Sequence, residues 1–217
     1  MLISYTHSFI FFHVAKVGGI SIRHALNPYT QEPKRFKINR PAQIINGKFN
    51  PFYAIWESAL THATVAQTQK ALPQEFDKFH KFAFVRNPWD WQVSMYHFLL
   101  NQKDNYNYEM IKEFGSFRKY MEWVVLEDKP FPKGATKLQK TMLIDSGGNL
   151  AIDKIGRFEN LAEDFNNIMG SLNINATLAK LNTSKHKPYQ IYYDTYTKKL
   201  VEKHFAEDID LFKYTFN

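Results

Sequence analysis

Phe9-Ile10-Phe11-Phe12-His13-Val14-Ala15-Lys16-Val17-Gly18-Gly19-Ile20-Ser21-Ile22 is the stretch from which the rest of this chain can be read. Phe9 to Val14 lacks the alternation of a strand with one wet face. An unbroken apolar run of this length predicts a strand buried on both sides, as in a parallel sheet. Lys16-Val17-Gly18-Gly19 ends it, and a short helix is expected from about Ser21 to Leu26. Asn27-Pro28 should stop that helix, because the residue before proline avoids helical backbone. Strand, glycine loop and helix in this order point backbone N–H groups and a helix N-terminus at an anion. An ordinary strand-to-helix turn uses the same arrangement, so the loop alone leaves both readings open. The lysine precedes the glycines, which excludes the GxxxxGK[ST] spacing of a Walker loop, and the GxGxxG of dinucleotide folds is missing too.

A second unit has the same logic. Phe82-Ala83-Phe84-Val85 predicts another buried strand, ending at Arg86. Asn87-Pro88 reads as an N-cap with proline at the first helical position, and Asp90 at the third complements the helix dipole. Trp89, Val93, Tyr96 and Leu100 recur at helical spacing and are expected to pack on the sheet, with the helix ending near Asn101. A helix rises 1.5 Å per residue, so Ser94 stands about 10 Å beyond Asn87, within the combined reach of an arginine and a serine to one phosphate. An arginine capping the sheet end and a serine filling a surface slot is the alternative. Two buried strands that each end in an anion-ready loop bring both loops to the carboxyl edge of one sheet, where α/β folds bind ligands.

Outward from these units the chain is polar and basic from Gln31 to Asn50, with prolines at 33 and 41, and is expected to be a long surface loop facing substrate. Thr64-Val65-Ala66-Gln67 matches a capping box and starts a helix to about Leu72, before Pro73, which leaves His62 on the loop ahead of it. Residues 106–126 and 136–144 are expected to be helical, with Asp145-Ser146-Gly147-Gly148-Asn149 as a turn. Ile152 to Phe158 is a candidate strand, Leu161 to Met169 an amphipathic helix closed by Gly170, and 194–206 a C-terminal helix.

The chain has 217 residues, 44% hydrophobic and 16% aromatic, which excludes a disordered or collagen-like protein and predicts one compact domain over residues 1–217. Lys and Arg number 28 against 21 Asp and Glu, a formal charge of +7, so the field favours anionic partners. With no cysteine, disulfides, thiolate metal sites and Cys nucleophiles are excluded, and a reducing, cytoplasmic setting is expected. The apolar run at residues 8–14 is too short to span a bilayer and has no signal-peptide frame. No His, Asp or Glu cluster has convincing ligand spacing, so no metal is expected.

The loop Phe11 to Ile22 resembles the 5′-phosphosulfate loop of the carbohydrate sulfotransferases, and Phe82 to Asp90 with Ser94 resembles their 3′-phosphate motif. Ile155-Gly156-Arg157-Phe158-Glu159-Asn160-Leu161, Ser184-Lys185-His186-Lys187 and Tyr192-Tyr193 are similar to later segments of bacterial and heparan-sulfate-type members. The resemblance covers residues 9–212 in order. It implies an α/β fold, three-layered and P-loop-like, with a mainly parallel central sheet flanked by helices. It also implies sulfuryl transfer from 3′-phosphoadenosine 5′-phosphosulfate (PAPS) to a hydroxyl of a saccharide or glycolipid, leaving adenosine 3′,5′-bisphosphate.

Carried over residue by residue, the resemblance gives Lys16 the bridging oxygen and the sulfuryl group, where leaving-group charge develops. Val17, Gly18, Gly19 and Ile20 would approach the 5′-phosphate by backbone, with the Ser21 hydroxyl beside them. Many relatives carry Thr where this chain has Ile20, so one hydroxyl is missing. Arg86 and Ser94 would hold the 3′-phosphate, and Ser184 and Lys185 belong to a stretch that closes over the donor, unless that stretch is a solvated basic loop. His62, placed as is the base histidine of uronyl 2-O-sulfotransferases, would take the acceptor proton; a loop histidine without that role is the alternative. Arg157 reaches donor or acceptor, or else pairs with a carboxylate such as Glu159. His13, His97, His186 and His204 are expected to be structural or at the surface. A P-loop kinase or phosphotransferase would need a Ser or Thr directly after the loop lysine, where this chain has Val17. A nucleic-acid binder would need a module that the chain does not display.

Overall fold

A computed structural model describes residues 1–31, 44–45, 48–49, 62–101, 103, 108–126, 137–179 and 186–217. The strands are β1 (Leu2–Ser4), β2 (Phe9–Phe12), β3 (Ile44–Ile45), β4 (Lys48–Phe49), β5 (His80–Val85) and β6 (Lys154–Arg157). Four of them form one sheet in the order β1-β2-β5-β6. β2 and β5 lie parallel with Phe9 opposite His80 and Phe12 opposite Ala83, and β5 and β6 lie parallel with Val85 opposite Arg157. β1 closes the sheet antiparallel to β2.

The unbroken apolar runs are explained by this position. All of β2 and the last four residues of β5 are buried, since parallel neighbours and helices on the sheet leave neither face wet. Phe82 packs on Phe11 with ring centres 5.3 Å apart and on Phe9 at 5.6 Å, and each such ring removed from water stabilises the fold by about 1.5–3 kcal/mol.

The helices are α1 (Gly19–Leu26), α2 (Val65–Ala71), α3 (Pro73–Lys78), α4 (Pro88–Leu100), α5 (Tyr108–Glu113), α6 (Phe117–Leu126), α7 (Leu161–Ser171), α8 (Thr195–His204) and α9 (Ala206–Phe212). The capping box at Thr64 forms, with both reciprocal bonds to Gln67. The chain is a mixed α/β protein with a mostly parallel four-stranded sheet flanked by helices.

Several expectations need correction. Pro73 does not merely end a helix: it occupies the first turn of α3, where its missing N–H costs nothing. The expected helix 106–126 breaks at Gly115, which adopts φ 64° between α5 and α6. Of the expected helix 136–144, the described residues 137–144 supply only a 3₁₀ turn, Gln139–Met142, and α7 runs through Gly170 instead of stopping there. Segment 31–50, expected as loop, contains the antiparallel hairpin β3–β4; its remaining interior lies outside the described residues. α4 does not present one face to the sheet and another to water. Trp89, Trp91, Gln92, Val93, Ser94, Met95 and Leu99 are all buried, because α6, α8 and the 189–192 turn cover its outer side.

Candidate active site

β2, β5 and β6 end side by side, so the turns that follow them share one edge of the sheet. The first turn is built from backbone. Lys16 and Gly18 both take left-handed conformations, φ 62° and 80°; for lysine this conformation is strained by about 1–2 kcal/mol. Gly18 sits at the N-cap of α1 with no side-chain cap, and no acidic residue lies in the first turn. The positive end of this helix is therefore uncompensated by a carboxylate of its own. A Cβ at Gly19 would lie 1.8 Å from Nε2 of His13, so any larger residue there must displace that ring. The carbonyl of Ala15 accepts from the buried Trp91 indole at 2.8 Å, and that of Lys16 accepts from Arg86 Nη1 at 3.1 Å. Both oxygens are thereby turned into the protein. Val17 and Ser21 are buried, whereas the Ile20 side chain is 55% exposed. The Lys16 ammonium lies 4.2 Å from the centre of the Phe98 ring on α4, a cation–π contact.

The second turn is built from side chains. Arg86 is only 3% exposed and gathers four segments. Its Nε donates to Asp90 Oδ2 at 2.7 Å, Nη1 to the Lys16 carbonyl, and Nη2 to Nε2 of His186 at 3.3 Å. Its carbon Cζ stacks 3.9 Å from the Phe158 ring just after β6. Three of five N–H groups are thus used among the described residues. His186 Nδ1 faces the Lys187 carbonyl at 2.8 Å, so that nitrogen carries the proton and Nε2 is the acceptor. Asn87 caps α4 through Trp89 N–H, as its sequence position suggested, while its own N–H donates to Glu159. Ser94, two turns on, is 1% exposed and its hydroxyl has no hydrogen-bond partner among the described residues.

His62 stands beside the first turn. Its ring stacks on His13 at 5.0 Å, and Nδ1 lies 3.2 Å from the His13 carbonyl. A carbonyl only accepts, so the neutral ring carries its proton on Nδ1 and its basic lone pair on Nε2. That is the tautomer a general base needs.

The structure thus brings Lys16, Val17, Gly18, Gly19, Ile20, Ser21, His62 and Arg86 to one edge, with Ser94 two turns along the helix that starts there. Ser184 and Lys185 lie outside the described residues; their neighbour His186 reaches Arg86. Arg157 does not pair with Glu159: it donates to the Phe212 carbonyl at 2.6 Å and stacks on Tyr214. Asp90 was read from sequence as a dipole partner, yet its larger role is to hold Arg86, which an i, i+4 acid–base spacing signals. His186 was expected to be structural, and its sequence position carries no hint of Arg86. His97 is stacked on His186, and burial first and His186 second lower its pKa. Among the described residues no group of three or more His, Asp or Glu is placed to hold a metal, and no helix is long and apolar enough to cross a membrane.

A model of the sulfotransferase family matches residues 1–215. No curated protein and no solved structure gives a match.

Proposed function

The chain belongs to the sulfotransferase family and is an enzyme of sulfuryl transfer, and from that premise we propose that it uses PAPS as donor and a saccharide or glycolipid hydroxyl as acceptor. The proposal takes residues 1–217 as one domain, three-layered and P-loop-like, that needs no metal.

The observation that carries the reading is the Ser94 hydroxyl, buried and without a partner among the described residues. Leaving such a group unpaired costs about 1–3 kcal/mol. It stands two turns along the helix whose first turn holds Arg86, and among the described residues Arg86 keeps two N–H groups beyond its three bonds. A 3′-phosphate, rich in acceptor oxygens, suits both residues. Gly18 and Gly19 give a 5′-phosphate a turn free of side chains at an uncapped helix end.

Bound PAPS supplies a sulfuryl group on an activated phosphosulfate link. Lys16 stabilises the negative charge that grows on the leaving phosphate oxygen, with the Phe98 ring steadying its ammonium. The backbone of Val17, Gly18, Gly19 and Ile20 and the Ser21 hydroxyl hold the 5′-phosphate. Ile20 adds no hydroxyl and projects outward. Nε2 of His62 takes the proton of the acceptor hydroxyl as its oxygen bonds to sulfur. Ser184 and Lys185 complete the donor contacts ahead of His186.

Calorimetric titration with adenosine 3′,5′-bisphosphate, run beside ATP with magnesium, tests the reading. Tight, magnesium-independent binding of the bisphosphate, lost in Arg86→Ala, is expected. A preference for ATP with magnesium assigns the chain to phosphoryl transfer and overturns the proposal, as does binding of neither.

A further inference from the structure

Arg86 stands where the sheet has run out. β2 makes its last pairing at Phe12 with Ala83, and β6 makes its last at Arg157 with Val85. A side chain supplies what the strands do not. The Arg86 N–H donates to Oε1 of Gln139 at 2.9 Å, and Nε2 of Gln139 donates to the Arg86 carbonyl at 2.8 Å. One amide thus satisfies the donor and the acceptor of the same residue, as a neighbouring strand would.

Gln139 is itself held. It is 1% exposed and opens the 3₁₀ turn Gln139–Met142. The backbone N–H groups of Gln139 and Lys140 donate to the two carboxylate oxygens of Asp208 on α9, at 2.6 and 2.9 Å. Asp208 is fully buried, and next to it Glu207 pairs with the Lys140 ammonium. The two N–H bonds offset part of the cost of burying this carboxylate.

We propose that Gln139 and Asp208 are positioning residues for Arg86: Asp208 fixes the turn, the turn fixes the Gln139 amide, and the amide sets the backbone from which the guanidinium projects. The inference rests on the reading of Arg86 as the 3′-phosphate ligand. Arg86 is clamped at both ends, its guanidinium by Asp90, His186 and the Lys16 carbonyl, and its backbone by Gln139. With the backbone clamp gone, two buried polar groups lose their partner and the guanidinium shifts. Small misplacements of a ligand-holding group weaken binding strongly. The effect falls first on recognition of the 3′-phosphate.

The test is the preference for adenosine 3′,5′-bisphosphate over adenosine 5′-monophosphate, measured as a ratio of dissociation constants, with thermal melting alongside. In Gln139→Met the preference is expected to fall about tenfold, and in Asp208→Asn, which keeps the side-chain volume, about threefold. Gln139→Glu, which still accepts from the Arg86 N–H, recovers part of the loss. Added to Arg86→Ala, Gln139→Met changes the ratio no further. Should Gln139→Met fail to fold, Asp208→Asn and Gln139→Glu decide the matter by the same ratio. Lowered melting temperatures with an unchanged preference, while Arg86→Ala abolishes it, overturn the positioning role and leave the donor assignment standing. A wild-type protein without the preference, or one that keeps it in Arg86→Ala, overturns the assignment of Arg86 and this inference with it.

Discussion

The two parallel strands at the centre of the sheet each run into a helix, and they do so in opposite ways. After β2 the turn is stripped: two glycines, two left-handed backbone conformations, a helix end with no side-chain cap. After β5 the turn is furnished: Asn87 caps, Pro88 presets the backbone, Asp90 lies in the first turn, and Glu159 takes the N–H of Asn87. The stripped turn offers backbone dipoles, one lysine and the Ser21 hydroxyl in the first turn of its helix. The furnished turn has filled its own helix end and offers a side chain instead, Arg86. Neighbouring strands thus end in two kinds of donor, and the Arg86 bond to the Lys16 carbonyl ties them together.

The sharpest way to break this contrast is to remove the lysine of the stripped turn. Lys16→Ala should reduce kcat about 10³-fold, with circular dichroism unchanged; wild-type turnover in a labelled-sulfate transfer assay would refute its role. Next comes the histidine beside that turn. His62→Ala is expected to lower turnover about 10²-fold while bisphosphate affinity stays put, and a variant that keeps full activity moves the base elsewhere.

Stability separates the turns as well. Gly19→Ala drives a Cβ to within 1.8 Å of the His13 ring, and a loss of about 3 kcal/mol in urea unfolding is expected; a loss below about 1 kcal/mol would mean that the His13 ring yields cheaply. Asp208 behind the furnished turn makes a pH prediction of similar size. Burial pushes its carboxyl up to about 6 from 3.8, against the opposing hydrogen bonds from the Lys140 and Gln139 backbone. Between those values the folded chain holds a proton that the unfolded chain has released, so this group's stabilisation is present in acid and lost as pH rises through 6. Wild type should therefore gain on Asp208→Asn by up to about 3 kcal/mol between pH ~7 and pH ~4; a gap that does not change with pH contradicts it. Smallest is Asn87→Ala, a lost cap worth about 1 kcal/mol in the same unfolding measurement, and a loss well above that would show that the Asn87 bond to the Thr215 carbonyl matters more than the cap.

Local pattern made much of this legible. The buried runs at Phe9 and Phe82, the glycine turn, the Asn87-Pro88 cap and the capping box at Thr64 all declare themselves within a few residues, and each formed as expected. What escaped is short or long-range. β1 has three residues, too few for a period, and Pro73 ends one helix and begins the next, which a stop signal alone does not reveal. Lys16 and Arg86 with Ser94 could be referred to one edge because parallel strands share a carboxyl end, whereas His62 came from the family resemblance. Nothing local told that His186, Phe158 or Gln139 would close around Arg86, because contacts between residues this far apart in sequence leave no periodic trace.

Those distant contacts also set the order in which the molecule acquires its parts. Arg86 meets the Lys16 carbonyl across 70 residues of sequence and His186 across 100. Helices such as α4 and α8 close locally and early, whereas pairings between remote segments wait on loop closure. In refolding from denaturant, helical signal should therefore return before the Trp91 indole regains its seat on the Ala15 carbonyl, and the edge where Arg86 meets Lys16 and His186 should be the last part to reappear.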